Sequence, residues 1–281
     1  MSAGAVEPGG RSASTQRARR LTAILDLVAR QRSVTLADLT EGLGISPATA
    51  RRDLTELADQ RLVTRTHGGA TVAEGRTELP VALRGTQSAD AKRAIARAMA
   101  VRVPTGRHVV ALSGGTTTAD VARELSWRQD LTVVTNALTI ATSLSERGRV
   151  RVVMTGGFLR PESLELVGAL AENTFSAVNV GTAILGADGI SASAGVTTHD
   201  ETEARTNHAM VTKAQRTVVV ADGSKVGRVA LAQMAGLDQV AMLITDGSAD
   251  PAELDRIRAA GVEVVVARGL PGPVAGSGGR P

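Results

Sequence analysis

The chain has 281 residues, 43% of them apolar and 21% charged, enough for about two ordinary domains with cores of their own. It contains no cysteine, which excludes disulfides, thiolate metal sites and cysteine nucleophiles and points to a reducing compartment. Its aromatic residues are Trp127, Phe158 and Phe175, too few for stacking platforms on single-stranded nucleic acid, and a net charge of +4 identifies no partner by itself.

The first 16 residues, MSAGAVEPGGRSASTQ, lack the apolar stretch of a secretion signal and are expected to be disordered. No apolar run approaches the ~18 residues that span a bilayer, so a cytoplasmic protein with no membrane partner is expected. Charge is unevenly divided along the chain. Residues 1–76 hold 11 Arg and 8 acidic residues, a balance of +3, whereas residues 77–281 hold 21 basic and 20 acidic ones, a balance of +1. A basic head on a near-neutral body suits a small module that meets a polyanion and a larger one with another task.

In the head, expected over residues 17–72, Leu21, Ile24, Leu25 and Val28 form the stripe of an amphipathic helix ending near Arg30. Thr35 caps a shorter helix through Leu36, Leu39 and Leu43, and Gly44 supplies a turn. Ser46 and Pro47 then read as an N-cap and a first-turn proline of a third helix running to about Gln60, with Ala50, Leu54 and Leu57 inward. Its outward face is expected to carry Ser46, Thr49, Arg52 and Asp53, with Arg51 alongside. A helix N-terminus bearing arginines is what a helix-turn-helix reader offers to the major groove. Residues 61–72, RLVTRTHGGATV, alternate around a Gly-Gly turn and predict a two-stranded wing, from which Arg65 and His67 reach a flanking backbone. Taken alone, the Arg pair fits a solvated face of a three-helix scaffold equally well; short helix, glycine turn, capped helix and basic wing together favour the reader.

Residues 73–88 read as a linker, and 89–268 as a mostly parallel α/β domain, followed by a Gly/Pro-rich tail over 269–281 that is expected to be disordered. Three strands come first: Val109–Leu112 leads into Ser113-Gly114-Gly115-Thr116-Thr117-Thr118 and a helix from Ala119, Leu131–Val134 into Thr135-Asn136, and Val150–Met154 into Thr155-Gly156-Gly157. Strand-loop-helix order places all three polar loops on one edge of a parallel sheet, where such sheets bind ligands. The first loop has the chemistry of an anion cradle, with glycines, hydroxyls and a helix N-terminus, but matches neither a Walker loop nor the dinucleotide spacing; a plain tight turn remains the alternative reading. Farther on, Ala183–Leu185 leads into Gly186-Ala187-Asp188-Gly189, a helix begins near Asp200, and Thr217–Ala221 delivers Asp222-Gly223-Ser224-Lys225. Lys225 is one of three lysines among 32 basic residues, and a compact ammonium suits a phosphate, though an ordinary exposed lysine is the competing reading. Val240–Thr245 and Val262–Val266, around a helix from Pro251, complete the sheet. His199, His208, Asp200, Glu201 and Glu203 match no metal-ligand spacing, and neither His67 nor His108 makes a better case.

Two stretches carry a family resemblance. GISPATARRDLTELADQRLVTRTHGGA resembles the signature of DeoR-family bacterial transcriptional regulators, with Ala50 where that family more often has a larger β-branched residue. The ordered motifs VVALSGGTTTADVA, LTVVTNAL, VVMTGGFLRPESLELVG, AILGADGI, ETEA and ADGSKVG are similar to that family's effector domain, whose fold is related to ribose-5-phosphate isomerase and glucosamine-6-phosphate deaminase. The resemblance implies an N-terminal winged helix-turn-helix domain, a C-terminal mostly parallel α/β sensor domain, and a repressor released by a phosphorylated sugar. The helix and wing described above offer Ser46, Thr49, Arg51, Arg52, Arg65 and His67 to DNA, and the resemblance carries over the effector-site residues by position. Gly115, Thr116 and Thr117 would hold the phosphate region, Ser113 would stand beside them, and Thr135, Asn136, Gly156 and Gly157 would line the site. Glu203, Asp222 and Lys225 would face the ligand, and Lys92 stands where the family often has a lysine. Ser113 and Gly114 replace the usual Asp and Ser, and Asn207 stands where a basic residue is frequent, so the charge pattern of the pocket is altered.

The expectation is therefore a regulator that binds double-stranded operator DNA, oligomerises with copies of itself and senses a small phosphorylated sugar, without cofactor or metal. A sugar-phosphate isomerase or deaminase carrying a DNA-binding head is the rival, since Asp188, Glu203, Asp222 and Lys225 offer acid and base groups. A DNA-compacting protein without an effector leaves the polar loops unexplained.

Overall fold

Two compact units, residues 1–87 and 88–281, make up the computed structural model, which describes residues 9–31, 33–59, 62–72, 81–84 and 88–268. The tail expected over 269–281 lies outside the described residues. In the first unit α1 (Gly9–Gln31) starts directly after Pro8. Residues 9–16, expected to be irregular, thus form its first turns: Arg11, Ala13 and Gln16 are good helix formers, and no proline interrupts them.

After α1 come β1 (Ser33–Thr35), α2 (Leu36–Leu43), α3 (Pro47–Asp59), β2 (Val63–Thr66), β3 (Gly69–Val72) and α4 (Val81–Arg84). The last of these is a short helix inside the stretch read as a linker, and it packs against α1. Thr35 and Asp38 form a capping box, each side chain bonding the other's backbone N–H, and Gly44 ends α2 in the left-handed region at φ 62°. Leu21, Ile24, Leu25, Val28, Leu39, Leu54 and Leu57 fill the core between the helices. β1 escaped sequence analysis because three residues carry no readable alternation. It pairs antiparallel with β3, which also pairs with β2, giving the order β1-β3-β2. The close approach explains Gly69: a Cβ there would overlap the carbonyl of Val34.

The second unit opens with α5 (Ala89–Ala100), β4 (His108–Leu112), α6 (Thr116–Leu125), β5 (Leu131–Thr135), α7 (Leu138–Ser145) and β6 (Arg151–Met154). A hairpin, β7 (Phe158–Arg160) and β8 (Glu165–Val167), and α8 (Ala169–Ser176) lead to β9 (Val180–Leu185), β10 (Gly189–Ser191), β11 (Gly195–Thr198), α9 (Glu201–Lys213) and β12 (Ala214–Val220). Then come β13 (Ala232–Ala235), β14 (Met242–Asp246), α10 (Pro251–Ala259) and β15 (Glu263–Ala267).

Seven strands form one sheet in the order β15-β14-β12-β9-β4-β5-β6, and every neighbouring pair is parallel. Alternation along the strands builds two cores. Val110, Leu112, Ile184, Val218, Val220 and Ile244 face the layer containing residues of α5, α6 and α7, whereas Ala111, Ala183, Leu185, Val219 and Leu243 face residues of α8, α9 and α10. Strand order runs outward from β4 to β6 and, on the other side, from β9 to β15. The switch point is therefore the β4/β9 crevice, where the C-terminal loops of the two strands separate.

Candidate functional site

In the head, the sequence places serine before a proline, and the geometry makes Ser46 a cap: its Oγ accepts from the backbone N–H of Thr49 at 3.2 Å and lies 2.9 Å from Thr49 Oγ1. Arg51 and Arg52 are exposed on the first turns of α3. Arg65 projects from β2 and donates from Nη1 to Thr55 Oγ1 at 2.8 Å; Thr55 in turn donates to the carbonyl of Arg51. That relay sets the wing arginine beside the arginine-bearing face of α3, and His67 is exposed at the wing turn. Asp53 does not belong to this face. It is 1% exposed and accepts a two-pronged contact from Arg20 of α1, at 2.5 and 3.2 Å. The hydrogen bond to Asp53 raises the Arg20 pKa above its ordinary value. Helical spacing alone put Asp53 outward; α1 crossing that side of α3 put it inward. Arg17 pairs with Glu56 farther along the same helices.

In the second unit, the loops after β4, β5, β6, β9 and β12 leave the same edge of the parallel sheet. After β4, Gly115 is the N-cap of α6 at φ 116°, and no side chain caps that helix, as none caps α5, α7 or α8, whereas Thr35, Asp200 and Asp250 cap α2, α9 and α10. Thr116 and Thr117, read as loop residues, begin α6, where first-turn N–H groups lack intrahelical partners. Ser113 Oγ accepts from Gly186 N at 2.9 Å, tying the β4 loop to the β9 loop across the switch point. Thr135 is occupied internally: its Oγ1 donates to the Leu112 carbonyl and accepts from Ala137 N. Asn136 is different, because it is 0% exposed and neither amide atom has a hydrogen-bond partner. A buried amide in that condition costs free energy unless something polar meets it.

Gly156 and Gly157 follow β6, both at positive φ, and Gly157 lies so close to β8 that a Cβ would stand 2.7 Å from the Val167 carbonyl oxygen. Glu203, at the start of α9, accepts from Thr198 Oγ1 at 2.6 Å and from Arg160 Nη1 at 3.3 Å. Thr198 also lies 3.2 Å from an Asp188 oxygen, and Lys225 Nζ stands 3.7 Å from the other. Asp222 spends one oxygen on the N–H and hydroxyl of Ser224, so it shapes the turn that carries Lys225. Lys92 is buried on α5, and Asn207, buried on α9, points its amide nitrogen at the Met234 sulfur.

Two contributors went unnoticed in the sequence. Arg160 bridges Glu203 and Asp200. Glu165, 2% exposed, accepts the Gly114 N–H at 2.6 Å. Both belong to the β7–β8 hairpin, whose strands are three residues long. The one available signal was a glutamate flanked by Leu164, Leu166 and Val167. Among the described residues, no group of histidines and carboxylates could hold a metal ion, and no helix is long and apolar enough to cross a membrane. His108 bonds Thr182 Oγ1, and burial, followed by the charge of Arg128, holds its pKa below the ordinary value.

A winged helix-turn-helix head followed by an α/β unit with polar loops at its switch point defines a ligand-responsive DNA-binding regulator. Residues 20–76 match the DeoR-like helix-turn-helix domain and residues 87–247 match the DeoR C terminal sensor domain, and the chain belongs to the DeoR family of transcriptional regulators. It is 38% identical over 249 residues to the HTH-type transcriptional regulator GlpR of Haloferax volcanii, covering 88% of this chain and 97% of that protein. It is 34% identical over 263 residues to a putative aga operon transcriptional repressor of Escherichia coli O157:H7, covering 92% and 97%. The glycerol-3-phosphate regulon repressor of Escherichia coli K12 is 33% identical over 228 residues, covering 81% and 90%. The chain is thus a regulator rather than an isomerase or deaminase.

Proposed function

We propose that the chain is a repressor of sugar-metabolism genes, acting in the cytoplasm as a homo-oligomer on double-stranded operator DNA, with its affinity for the operator set by a small phosphorylated sugar. Ser46, Thr49, Arg51, Arg52, Arg65 and His67 form the DNA face, the helix N-terminus and arginines meeting phosphates and base edges. Gly115, Thr116 and Thr117 receive the phosphate at the uncapped start of α6, and Lys225 adds a point charge. Ser113, Thr135, Asn136, Gly156 and Gly157 shape the crevice, with Glu203 and Asp222 on its far side. The observation that carries this reading is the fully buried, unpartnered amide of Asn136 beside an uncapped helix N-terminus at the switch point. The names of two relatives, a putative aga operon repressor and a glycerol-3-phosphate regulon repressor, agree with it.

For the effector to act, it must bind one arrangement of the DNA-binding heads better than the other. A thermal-shift screen against sugar phosphates tests the reading, run on protein whose affinity for its own upstream DNA has been measured at stated salt. At least one phosphate should raise the melting temperature and change operator affinity. Good DNA binding with no shift from any phosphate counts against a sensor of this class.

A further inference from the structure

The start of α6 already holds an anion supplied by the chain. Glu165 is 2% exposed, and its Oε1 accepts the Gly114 N–H at 2.6 Å, one residue before the Gly115 cap. The seat exists only because residue 114 lacks a side chain: a Cβ there would overlap the Glu165 carboxyl carbon. Gly114 needs no unusual backbone, since it is absent from the positive-φ glycines, so space for Glu165 is what its missing Cβ provides.

The segment bearing Glu165 is under tension. Leu164, directly before it, holds φ at 55°, in the left-handed region that costs a branched residue about 1–3 kcal/mol. Ser163 Oγ is buried without a hydrogen-bond partner, as are both amide atoms of Asn136, whose carbonyl accepts from Leu166 N at 2.7 Å. A strained residue and unsatisfied buried polar groups thus flank the carboxylate on both sides. An arrangement that places strain and unpaired amides around an ion-to-amide bond gains by opening when another anion takes over that bond.

We propose that Glu165 is a specificity-determining residue of the effector site: it occupies the anion seat at Gly114 as an internal competitor, and a phosphorylated effector binds by displacing it and releasing the β7–β8 hairpin. This rests on the phosphate-sensor reading above. The apparent affinity for phosphate is reduced by the fraction of molecules in which Glu165 is seated, so removing the competitor raises it. A carboxylate that instead read sugar hydroxyls would do nothing for inorganic phosphate.

The test uses full-length protein and inorganic phosphate, titrated by calorimetry into wild type, Glu165→Gln and Glu165→Ala. The first variant removes the charge and keeps the shape; the second removes the carboxyl group and leaves the seat at Gly114 open. Each should bind phosphate about tenfold more tightly than wild type. Either variant, if folded, decides the matter should the other fail to fold. In wild type, phosphate should also speed amide exchange across Phe158–Val167. A folded variant that binds no more tightly than a phosphate-binding wild type, or a hairpin whose exchange is unchanged on binding, overturns the Glu165 assignment alone. If neither wild type nor variant binds phosphate, the cradle itself falls, and this proposal with it.

Discussion

In the head, Asp53 is sunk against α1 and held by Arg20, while Arg51, Arg52 and His67 stand in solvent. In the α/β unit the pattern is inverted: Ser113, Asn136, Glu203 and Asp222 are buried, and Ser113 and Glu203 bond to groups distant in the chain. A surface meant for a long polyanion works best with solvated cations that can find phosphates and release counterions. A pocket for a small molecule works with groups whose positions are fixed before the ligand arrives. Under the proposed function, stability and recognition would therefore be carried by different residues in the head and by largely the same residues in the α/β unit.

Breaking the buried pair of the head is the harshest test of that contrast. Asp53→Ala leaves Arg20 partly buried without its partner and should cost the head about 3 kcal/mol, since part of Arg20 remains in water. Chemical denaturation should show an earlier transition for the head and an unmoved one for the α/β unit; a common shift of both would erase the distinction. Arg52→Ala should leave both transitions in place yet weaken operator binding about tenfold or more, as read by electrophoretic mobility at fixed salt. Unchanged operator affinity removes Arg52 from the interface.

In the α/β unit, stability and binding should move together. Ser113→Ala deletes the acceptor of the Gly186 N–H and should cost about 1 kcal/mol, a fall of about 2–4 °C in melting temperature, along with weaker effector binding. A stability loss with wild-type effector affinity would show that this loop tie is structural only. The smallest effect concerns acid. The hydrogen bond from Arg128 holds the Asp130 carboxyl down at about 2, against an ordinary 3.8. A folded-state value below the unfolded one stabilises above the ordinary value and is lost as the pH falls through the folded one. Melting of wild type and Asp130→Asn should differ at neutral pH and converge as the pH drops from about 4 towards about 2. A constant difference would remove Asp130 from the acid response.

Much of this site was legible because it lies on short, local rules. Ser46-Pro47, Thr35 and Gly44 announce helix ends by their own chemistry, and β-branched runs between polar loops announce parallel strands whose loops share an edge. Asp53 and Glu165 were misplaced or missed for a common reason. Each is a carboxylate whose partner, Arg20 or the Gly114 N–H, lies 33 or 51 residues away in the chain. The β7–β8 hairpin and β1 have three-residue strands, too short for alternation to be counted.

Periodicity and capping in the sequence alone determined the two-module plan, the reader helix with its arginines and the set of polar loops at one sheet edge, because a helix or strand pattern depends on neighbours a few residues apart. Only the tertiary structure decided that β4 and β9 flank the switch point, that Asp53 faces inward, and that Glu165 occupies the seat at Gly114. Those facts depend on which distant segments pack together, and burial rather than local propensity sets the energy of a charge once they have done so.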